Sequence, residues 1–300
     1  MGILQRLSWH LNRTPAAHLL KAVHRTWRHT EIAERRALSD ALSSGRPGPA
    51  KAAQLRSEGY VDLTDAVPLE QLNRLGKASE AKVERAAELA RLQALTHKAF
   101  WVRLLDEDAP GGQFPSDNVF VQFAMQPALV GIVAAYLGEL PKLTDVLLTL
   151  SKPGMPNLAY SQLWHRDFDD VHTIKIFVYL TDVLDAQDGP FTFLRGPESD
   201  SVGFTRHSHL SDESLFRRVD RRAIREVYGP RYTVFACETS RCMHMGSRIA
   251  NGHARLMYTA SYISAPNVYP GVRPRFQLVG SATPVDQLVL DVRERNRAKE

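Results

Sequence analysis

Short strand-forming segments dominate the second half of this 300-residue chain and constrain its fold more than any other feature. They are rich in β-branched and aromatic residues, turns with Pro, Gly or Asp separate them, and they occupy residues 145–151, 174–180, 191–194, 232–236 and 254–263. They lack the regular alternation of strand and helix that βαβ units require. The pattern therefore predicts an antiparallel β-sandwich or barrel.

The first half of the chain predicts a layer of helices. From Thr14 onward, apolar and basic residues recur at helical spacing on different faces, with Leu19, Leu20, Val23 and Trp27 on one and Lys21, Arg25 and Arg28 on another. Two interpretations of this amphipathic helix stay open. It packs on the domain as a surface helix, or it lies on an anionic membrane or partner.

The excess positive charge of the chain lies near its N-terminus. The formal net charge is +5, and residues 1–50 alone hold eight Lys and Arg against three Asp and Glu. We therefore expect peripheral membrane contact, if there is any, to involve residues 1–36. Nucleic acid is not an expected partner, because the basic residues are not interleaved with aromatic residues that could stack on bases.

Turn-forming residues divide the chain into three parts. Residues 43–49 combine Ser, Gly and Pro and end a basic, amphipathic helical arm of residues 1–50. A domain of residues 51–265 follows, and residues 266–300 form a C-terminal tail. Within the domain, helices of residues 66–98 are expected to pack on a β core of residues 118–265.

Some elements of the domain can be placed more closely. We expect Gly76 to end one helix and residues 78–98 to form a long second helix. Residues 118–124 are expected to be extended, and residues 128–137 to form a buried helix that ends at Gly138. This last stretch is about half the ~20 apolar residues that a membrane-spanning helix needs.

The cysteine pattern indicates a reducing compartment. Cys237 and Cys242 are five residues apart, so on a continuous strand they would point to opposite faces and could not form a mutual disulfide. Free thiols are typical of the cytosol. We expect a cytoplasmic protein.

The most specific chemical feature is the segment Trp164-His165-Arg166-Asp167-Phe168. Side chains two residues apart on a strand point the same way, so His165 and Asp167 can bind one metal ion. His244, from a distant strand, completes a set of two histidines and one carboxylate that leaves open positions on a ferrous ion. His253 is the rival second histidine, and an exposed His-Asp pair in a turn is the alternative without a metal.

The surroundings of this segment resemble the phytanoyl-CoA dioxygenase family of Fe(II)/2-oxoglutarate-dependent oxygenases. The shared features are the Trp-His-x-Asp segment, the apolar strand 174–180 that leads into Thr181-Asp182, and the Gly189-Pro190 turn, and the resemblance covers residues 54–265. It implies a mainly β protein with a helical N-terminal layer, whose core is a double-stranded β-helix, the cupin-like jelly roll. It also implies Fe(II), 2-oxoglutarate and O₂ as cofactors, with ascorbate as an accessory reductant.

The resemblance also assigns residues to the cosubstrate. The family has an arginine eleven residues after the distal histidine, which is Arg255 here, and its planar fork of donors suits the far carboxylate of 2-oxoglutarate. A small hydroxyl often stands two residues after that histidine; this position is Gly246, and we take the neighbouring Ser247 as its counterpart. Lys175 interrupts an apolar strand, so it either faces water or contacts the cosubstrate or substrate.

The turn at Asn251-Gly252 sets a condition on Arg255. In a flat hairpin Thr259 would face His244, and Arg255 would lie four residues nearer the turn, about 13 Å away at 3.3 Å per residue. That is too far to share one small cosubstrate. The prediction therefore requires the chain to bend from one sheet to the other between His244 and Arg255.

The substrate is the least determined part of the prediction. The family usually has Pro-Gly-Ser-His after the Gly-Pro turn, whereas this chain has Pro197-Glu198-Ser199. Asp169 and Asp170 are expected to be solvated or to accept a hydrogen bond from a metal-bound histidine. Three basic residues are candidates for binding an anionic substrate: Arg195, Arg206 and Arg248.

Together these residues predict an Fe(II)/2-oxoglutarate-dependent dioxygenase. It would hydroxylate or otherwise oxidise an unactivated C–H bond of a small-molecule, lipid-linked or glycan-linked substrate and convert 2-oxoglutarate to succinate. Asp167 argues against halogenation, because the resemblance implies Gly or Ala at that position in halogenating members. The alternatives are a Zn- or Mn-dependent cupin isomerase or hydrolase with the same ligands, and a non-catalytic jelly-roll binding module.

Overall fold

The computed structural model describes residues 14, 16–43, 48–93, 100–153, 158–203, 205, 208–246, 248–268 and 275–292. The helices are α1 Ala16–Trp27, α2 His29–Ser43, α3 Gly48–Glu58, α4 Leu69–Val83, α5 Ala86–Gln93, α6 Val119–Ala124, α7 Pro127–Leu137, α8 Gly196–Val202, α9 Asp212–Phe216 and α10 Pro284–Val289. The strands are β1 Tyr60–Asp62, β2 Trp101–Arg103, β3 Phe114–Pro115, β4 Lys142–Ser151, β5 Trp164–His165, β6 Thr173–Tyr179, β7 Phe191–Leu194, β8 His209–Leu210, β9 Ile224–Val227, β10 Val234–Glu238, β11 His244–Met245, β12 Arg255–Ile263 and β13 Phe276–Gln277.

Two antiparallel sheets form the body of the fold. The larger has six strands in the order β1-β10-β6-β12-β4-β2, and the smaller has five in the order β8-β5-β11-β7-β9. Aromatic and sulfur-containing side chains from both sheets pack together between them, among them Phe177 and Phe235 of the larger sheet and Phe193 of the smaller. This architecture is the predicted double-stranded β-helix, with a helical layer added on the outside.

Strand β6 shows why the central strands are apolar along their whole length. Ile174, Ile176 and Val178 pack in the cluster that includes the helices, whereas Phe177 and Tyr179 pack between the sheets. Both faces of the strand are covered, so the usual alternation of apolar and polar residues is absent. By this alternation, Lys175 belongs to the face between the sheets.

The helical layer covers the outer face of the larger sheet. Helix α7 is the buried helix that the sequence predicts; Leu129, Ile132 and Val133 are fully buried in it, and Gly138 ends it in the left-handed conformation. Helix α6 supplies hydrogen-bond acceptors for the hydroxyl groups of two buried tyrosines of the sheet. Tyr258 donates to the Phe120 carbonyl at 2.6 Å, and Tyr262 donates to the Ala124 carbonyl at 2.7 Å.

Three local predictions in this layer are wrong. Residues 119–124 form α6 rather than an extended segment, because the Asn118 side chain caps the helix by accepting from Phe120 N at 2.9 Å. Gly76 lies inside α4 and does not end it; a Cβ there would lie 2.3 Å from the Tyr232 hydroxyl oxygen, so close packing explains the glycine. The long helix over 78–98 is divided, since α4 ends at Val83 and α5 begins at Ala86; residues 94–98 lie outside the described part of the chain.

Segments on either side of the predicted domain pack against it. The buried Arg35 of α2 donates to the Leu140 carbonyl at 3.1 Å and to the Leu288 carbonyl of α10 at 3.0 Å. In the C-terminal segment β13 pairs in parallel with β3, and Leu288 and Val289 are buried. Within the linker of residues 43–49, residues 44–47 lie outside the described part of the chain.

Helix α1 docks with its charged side inward. The side chains of Lys21 and Arg25 form ion pairs with carboxylates of the body, whereas Leu19 and Trp27 are 70% and 79% exposed. The helix therefore packs on the domain, with the polarity of its two faces opposite to that of an ordinary surface helix. In the part of the chain that the structure describes, every helix is too short or too polar to span a bilayer.

Candidate metal centre

Three of the predicted ligands converge where two short strands pair. In the antiparallel pair β5 and β11, His165 stands opposite His244, and the centroids of their imidazole rings are 4.2 Å apart. Asp167 Oδ1 lies 3.9 Å from His165 Nε2, and Asp167 Oδ2 lies 3.6 Å from His244 Nε2. One donor atom from each residue lies within 4.8 Å of the other two. A single metal ion can therefore contact all three.

Backbone carbonyls orient both imidazoles. His165 Nδ1 is 2.9 Å from the Leu163 carbonyl oxygen, and His244 Nδ1 is 3.0 Å from that of Cys242. A carbonyl can only accept a hydrogen bond, so each Nδ1 carries the proton and each Nε2 keeps its lone pair. Metal-binding histidines are usually held by such a contact on the second nitrogen.

The electrostatics of the centre keep the histidines neutral and the carboxyl ionised. Burial, reinforced by the neighbouring His244, lowers the pKa of His165 to about 3. Burial likewise lowers the pKa of His244. For Asp167 burial opposes ionisation, but neighbouring positive charge, first of all the Lys175 ammonium, outweighs it and holds the pKa of that carboxyl well below its usual range.

This donor set fits a divalent transition metal. Two neutral imidazole nitrogens and one carboxylate form the triad typical of non-haem Fe(II) sites, which leave positions open for a cosubstrate. Among the described residues, no second group of His, Cys, Asp and Glu has comparable spacing. His253 is not part of the group, because its Nδ1 is 2.8 Å from the Asp188 carboxylate. Cys237 and Cys242 are buried free thiols.

Lys175 faces the centre rather than water. Its Nζ lies 2.7 Å from Asp167 Oδ2, and its side chain is 19% exposed. Burial disfavours the ammonium, but Asp167 and Asp169 outweigh this effect and raise the pKa of Lys175. The lysine therefore supplies a positive charge to the carboxylate of the triad. The sequence left open whether it faces water or a ligand and did not indicate this contact.

The chain passes from one sheet to the other between His244 and Arg255, as the prediction for Arg255 requires. His244 belongs to the five-stranded sheet and Arg255 to the six-stranded one. The guanidinium of Arg255 is buried and donates from Nη1 to the carbonyl of Gly189, in the Gly-Pro turn. A Cβ on Gly246 would lie 3.6 Å from Arg255 Nη2. The guanidinium thus lies beside the backbone two residues beyond His244.

The remaining predicted contacts have mixed outcomes. Arg195 forms ion pairs with Glu58 and Glu198, and Arg248 binds both carboxylate oxygens of Asp212 at 2.8 and 2.9 Å. These guanidinium groups already have carboxylate partners within the protein, so the structure gives no support to a substrate role for either. Arg206 and Ser247 lie outside the described residues.

Two contacts near the triad were not found from the sequence. His209 of β8 stands opposite His165, and the centroids of their rings are 5.3 Å apart. Asp170 is not solvated and does not contact a histidine of the triad; it forms a buried ion pair with Lys21 of α1 at 2.7 Å. Neither contact has a local signal, because both join segments that are distant in sequence.

A cavity of about 570 Å³ has Asp167 among its lining residues, but neither histidine of the triad. Asp167, Phe168, His172 and Glu238 line it from the body, and His18 lines it from α1. The volume lies within the range of roughly 300–1,000 Å³ that is usual for small-molecule sites. Arg195 and Arg248 are not among its lining residues.

Comparison with solved structures supports the fold. EctD from S. alaskensis with bound Fe has a TM-score of 0.53 at 17% sequence identity, covering 81% of this chain and 86% of that chain. EctD with 2-oxoglutarate and 5-hydroxyectoine has a TM-score of 0.51 at 18% identity, covering 74% and 79%. AviO1 from Streptomyces viridochromogenes Tue57 has a TM-score of 0.50 at 16% identity, covering 76% and 99%. At these identities the similarity establishes a shared fold.

Sequence comparisons add no family assignment. No family model matches the chain, and no curated protein matches it at a significant level. The resemblance to the phytanoyl-CoA dioxygenase family therefore stays a prediction, carried by the segment around His165 and Asp167.

Proposed function

We propose that the protein is an Fe(II)/2-oxoglutarate-dependent oxygenase that oxidises an unactivated C–H bond of a small-molecule, lipid-linked or glycan-linked substrate. The observation that carries the proposal is the convergence of His165, Asp167 and His244 within 4.8 Å in a jelly roll. Neutral, oriented imidazoles beside an ionised carboxylate are the ligands that Fe(II) takes in such enzymes.

Each residue of the centre has a defined task in this proposal. The Nε2 atoms of His165 and His244 and the carboxylate of Asp167 would hold Fe(II). Iron held in this way would bind 2-oxoglutarate and activate O₂, with oxidative decarboxylation of 2-oxoglutarate to succinate. The buried guanidinium of Arg255 would bind the far carboxylate of the cosubstrate, since a planar fork of donors matches a carboxylate.

Two further observations support this function. Structures with the same fold include EctD with bound Fe and EctD with 2-oxoglutarate and 5-hydroxyectoine. The cavity that reaches Asp167 is large enough for a small-molecule substrate. The substrate would enter beside α1, because His18 lines the same cavity.

Anaerobic titration with Fe(II) and 2-oxoglutarate, followed by measurement of succinate release in air, tests the proposal. We expect stoichiometric Fe(II) binding by the wild type and loss of both binding and succinate formation in His244→Ala. His253→Ala is the matched control, because its imidazole lies in the same stretch but pairs with Asp188. Succinate formation at the wild-type rate in Asp167→Ala would refute the ligand assignment.

We also propose a peripheral membrane contact through residues 1–36, for which α1 offers a specific surface. Leu19, Leu20, Val23 and Trp27 are exposed on one helix, whereas Lys21 and Arg25 are engaged with the body. Apolar residues of α1 would therefore make the contact, rather than its basic residues.

A further inference from the structure

Charged contacts hold α1 to the body of the protein. The buried residues of this helix are Ala17 and Lys21. Lys21 Nζ lies 2.7 Å from Asp170 Oδ1 and donates to the Ser264 carbonyl at 2.8 Å. Arg25 pairs with both oxygens of Glu139. The contacts that α1 makes with the body are therefore mainly polar.

The partner of Lys21 belongs to the connection that carries the metal ligand. Asp170 comes three residues after Asp167, in the segment between β5 and β6. Its Oδ1 also accepts from Val171 N at 2.8 Å, and its Oδ2 accepts from Val268 N at 3.1 Å. One carboxylate thus joins the loop, the segment that follows β12 and α1.

A second anchor stands on the other side of Asp167. The guanidinium of Arg166 donates to the carbonyls of Arg241 at 2.8 Å and Gly203 at 2.9 Å. Asp167 N donates to the Thr239 carbonyl at 2.9 Å. The ligand therefore lies between an anchor within the body, at Arg166, and an anchor at Asp170, whose only side-chain cation partner among the described residues comes from α1.

Helix α1 is also a wall of the cavity that reaches the ligand. His18 of α1, and Thr14 just before the helix, line this cavity together with Asp167 and Val171. A second cavity, of about 420 Å³, shares His18 with the first and is also lined by Lys21 and Arg25. The position of α1 therefore sets the shape of the substrate cavity on this side.

We propose that Lys21 is a positioning residue of the metal centre, which fixes the loop of residues 166–171 through Asp170 and holds α1 as a wall of the substrate cavity. Both side chains are almost fully buried, and a buried carboxylate that loses its cation partner is strongly unfavourable. Without Lys21 the loop must shift to hydrate Asp170, and Asp167 shifts with it. The metal part of this proposal rests on the proposed function.

The test compares Lys21→Met with Arg25→Met in the full-length chain. Arg25 is the matched control: it ties the same helix to the same body, but its hydrogen bonds go to Glu139 and the Ala265 carbonyl rather than to the loop. Hydrogen exchange of residues 166–171 is measured without metal, and anaerobic Fe(II) affinity is measured by competition with a chelator. Lys21→Met/Asp170→Asn removes both charges of the pair.

We expect Lys21→Met to speed exchange in the loop and to weaken Fe(II) binding, each by about tenfold or more, which corresponds to about 1.4 kcal/mol. Arg25→Met should lower the melting temperature but leave Fe(II) affinity within about threefold of the wild type, less than 1 kcal/mol. The double variant should recover most of the affinity, because no charge is left unpaired.

Equal effects of Lys21→Met and Arg25→Met on Fe(II) affinity would overturn the proposal, since α1 would then contribute only general stability. Unchanged exchange and affinity in Lys21→Met would overturn it as well. If the wild type binds no Fe(II), the proposed function fails, and loop exchange in the metal-free protein still decides whether Lys21 positions residues 166–171.

Discussion

Replacing Lys175 with Met tests how the centre balances its charge before a metal binds. Lys175 Nζ and Asp167 Oδ2 are 2.7 Å apart, and their side chains are 19% and 16% exposed. Removing one partner of a buried ion pair costs roughly 3–5 kcal/mol, because the other charge stays buried without compensation. The partial exposure of both groups places the expected loss near the lower limit, about 3 kcal/mol. Urea unfolding of the metal-free protein measures it.

A divalent metal should reverse this loss. In the wild type the metal must compete with the Lys175 ammonium for the Asp167 carboxylate, whereas in Lys175→Met it meets no competitor. The stability that the metal-free variant lacks is therefore regained on binding. A gain of about 3 kcal/mol corresponds to roughly 100-fold tighter metal binding, which anaerobic Fe(II) titration against a chelator would detect.

Lys142→Met is the matched control for Lys175→Met. Lys142 Nζ is 2.6 Å from Asp291 Oδ2, and these side chains are 3% and 15% exposed. We expect a comparable loss of stability and unchanged metal affinity. Metal binding in Lys175→Met that equals or falls below that of the wild type would refute the reasoning. A loss of 2-oxoglutarate affinity in the iron-loaded variant would instead assign Lys175 to the cosubstrate, which is one of the alternatives that the sequence leaves open.

Three further predictions follow from the structure. Arg255→Leu should weaken 2-oxoglutarate binding by at least about tenfold, since each charge-assisted hydrogen bond contributes roughly 1.5–3 kcal/mol, and Arg255→Lys should recover only part of it; unchanged affinity in an anaerobic titration would favour the isomerase or hydrolase alternative. Because burial lowers the pKa of His165 to about 3, the unfolded chain takes up this proton first, and this histidine alone should cost the metal-free protein about 1.4 kcal/mol per pH unit as the pH falls from about 6.5 toward 3. Urea unfolding of His165→Gln should show a shallower pH dependence, and an equal one would contradict the assignment. Trp27→Ser should reduce cosedimentation with anionic vesicles, whereas no binding by the wild type would refute membrane contact.

The sequence predicts the strands well because their signal is local. The runs at 145–151, 174–180 and 254–263 correspond to β4, β6 and β12 to within a few residues. A strand covered on both faces needs an unbroken apolar sequence, and such runs between turns have few other structural interpretations. The jelly roll itself is not a local property and came from the resemblance.

The wrong prediction at residues 118–124 also comes from reading a short apolar run as a buried strand. Short apolar runs do not distinguish a buried strand from a buried helix by periodicity. Here the cap at Asn118 selects the helix, and two tyrosines of the sheet stabilise it by donating to the carbonyls of Phe120 and Ala124. These donors lie more than one hundred residues away in the sequence.

The metal centre could be predicted only in part, for a related reason. The spacing of His165 and Asp167 is visible in the sequence because both lie on one short segment. His244 and Arg255 are eleven residues apart but belong to different sheets, and only the resemblance linked them. The sequence could not show which face of α1 packs on the body, because the carboxylate that pairs with Lys21 is 149 residues away.

The loop of residues 166–171 connects the metal centre with α1. It contains three aspartates, whose carboxylates repel one another unless cations lie beside them. Lys175 pairs with Asp167 and Lys21 pairs with Asp170, while burial, together with Asp167, raises the pKa of Asp169. A metal at Asp167 and α1 at Asp170 therefore act on the same loop, and coupling between two binding equilibria is reciprocal. If undocking of α1 weakens Fe(II) binding by some factor, Fe(II) must strengthen the docking of α1 by the same factor. Metal binding should then slow hydrogen exchange of α1 in the wild type but not in Lys21→Met. Equal slowing in both proteins would show that Lys21 does not couple the helix to the metal centre.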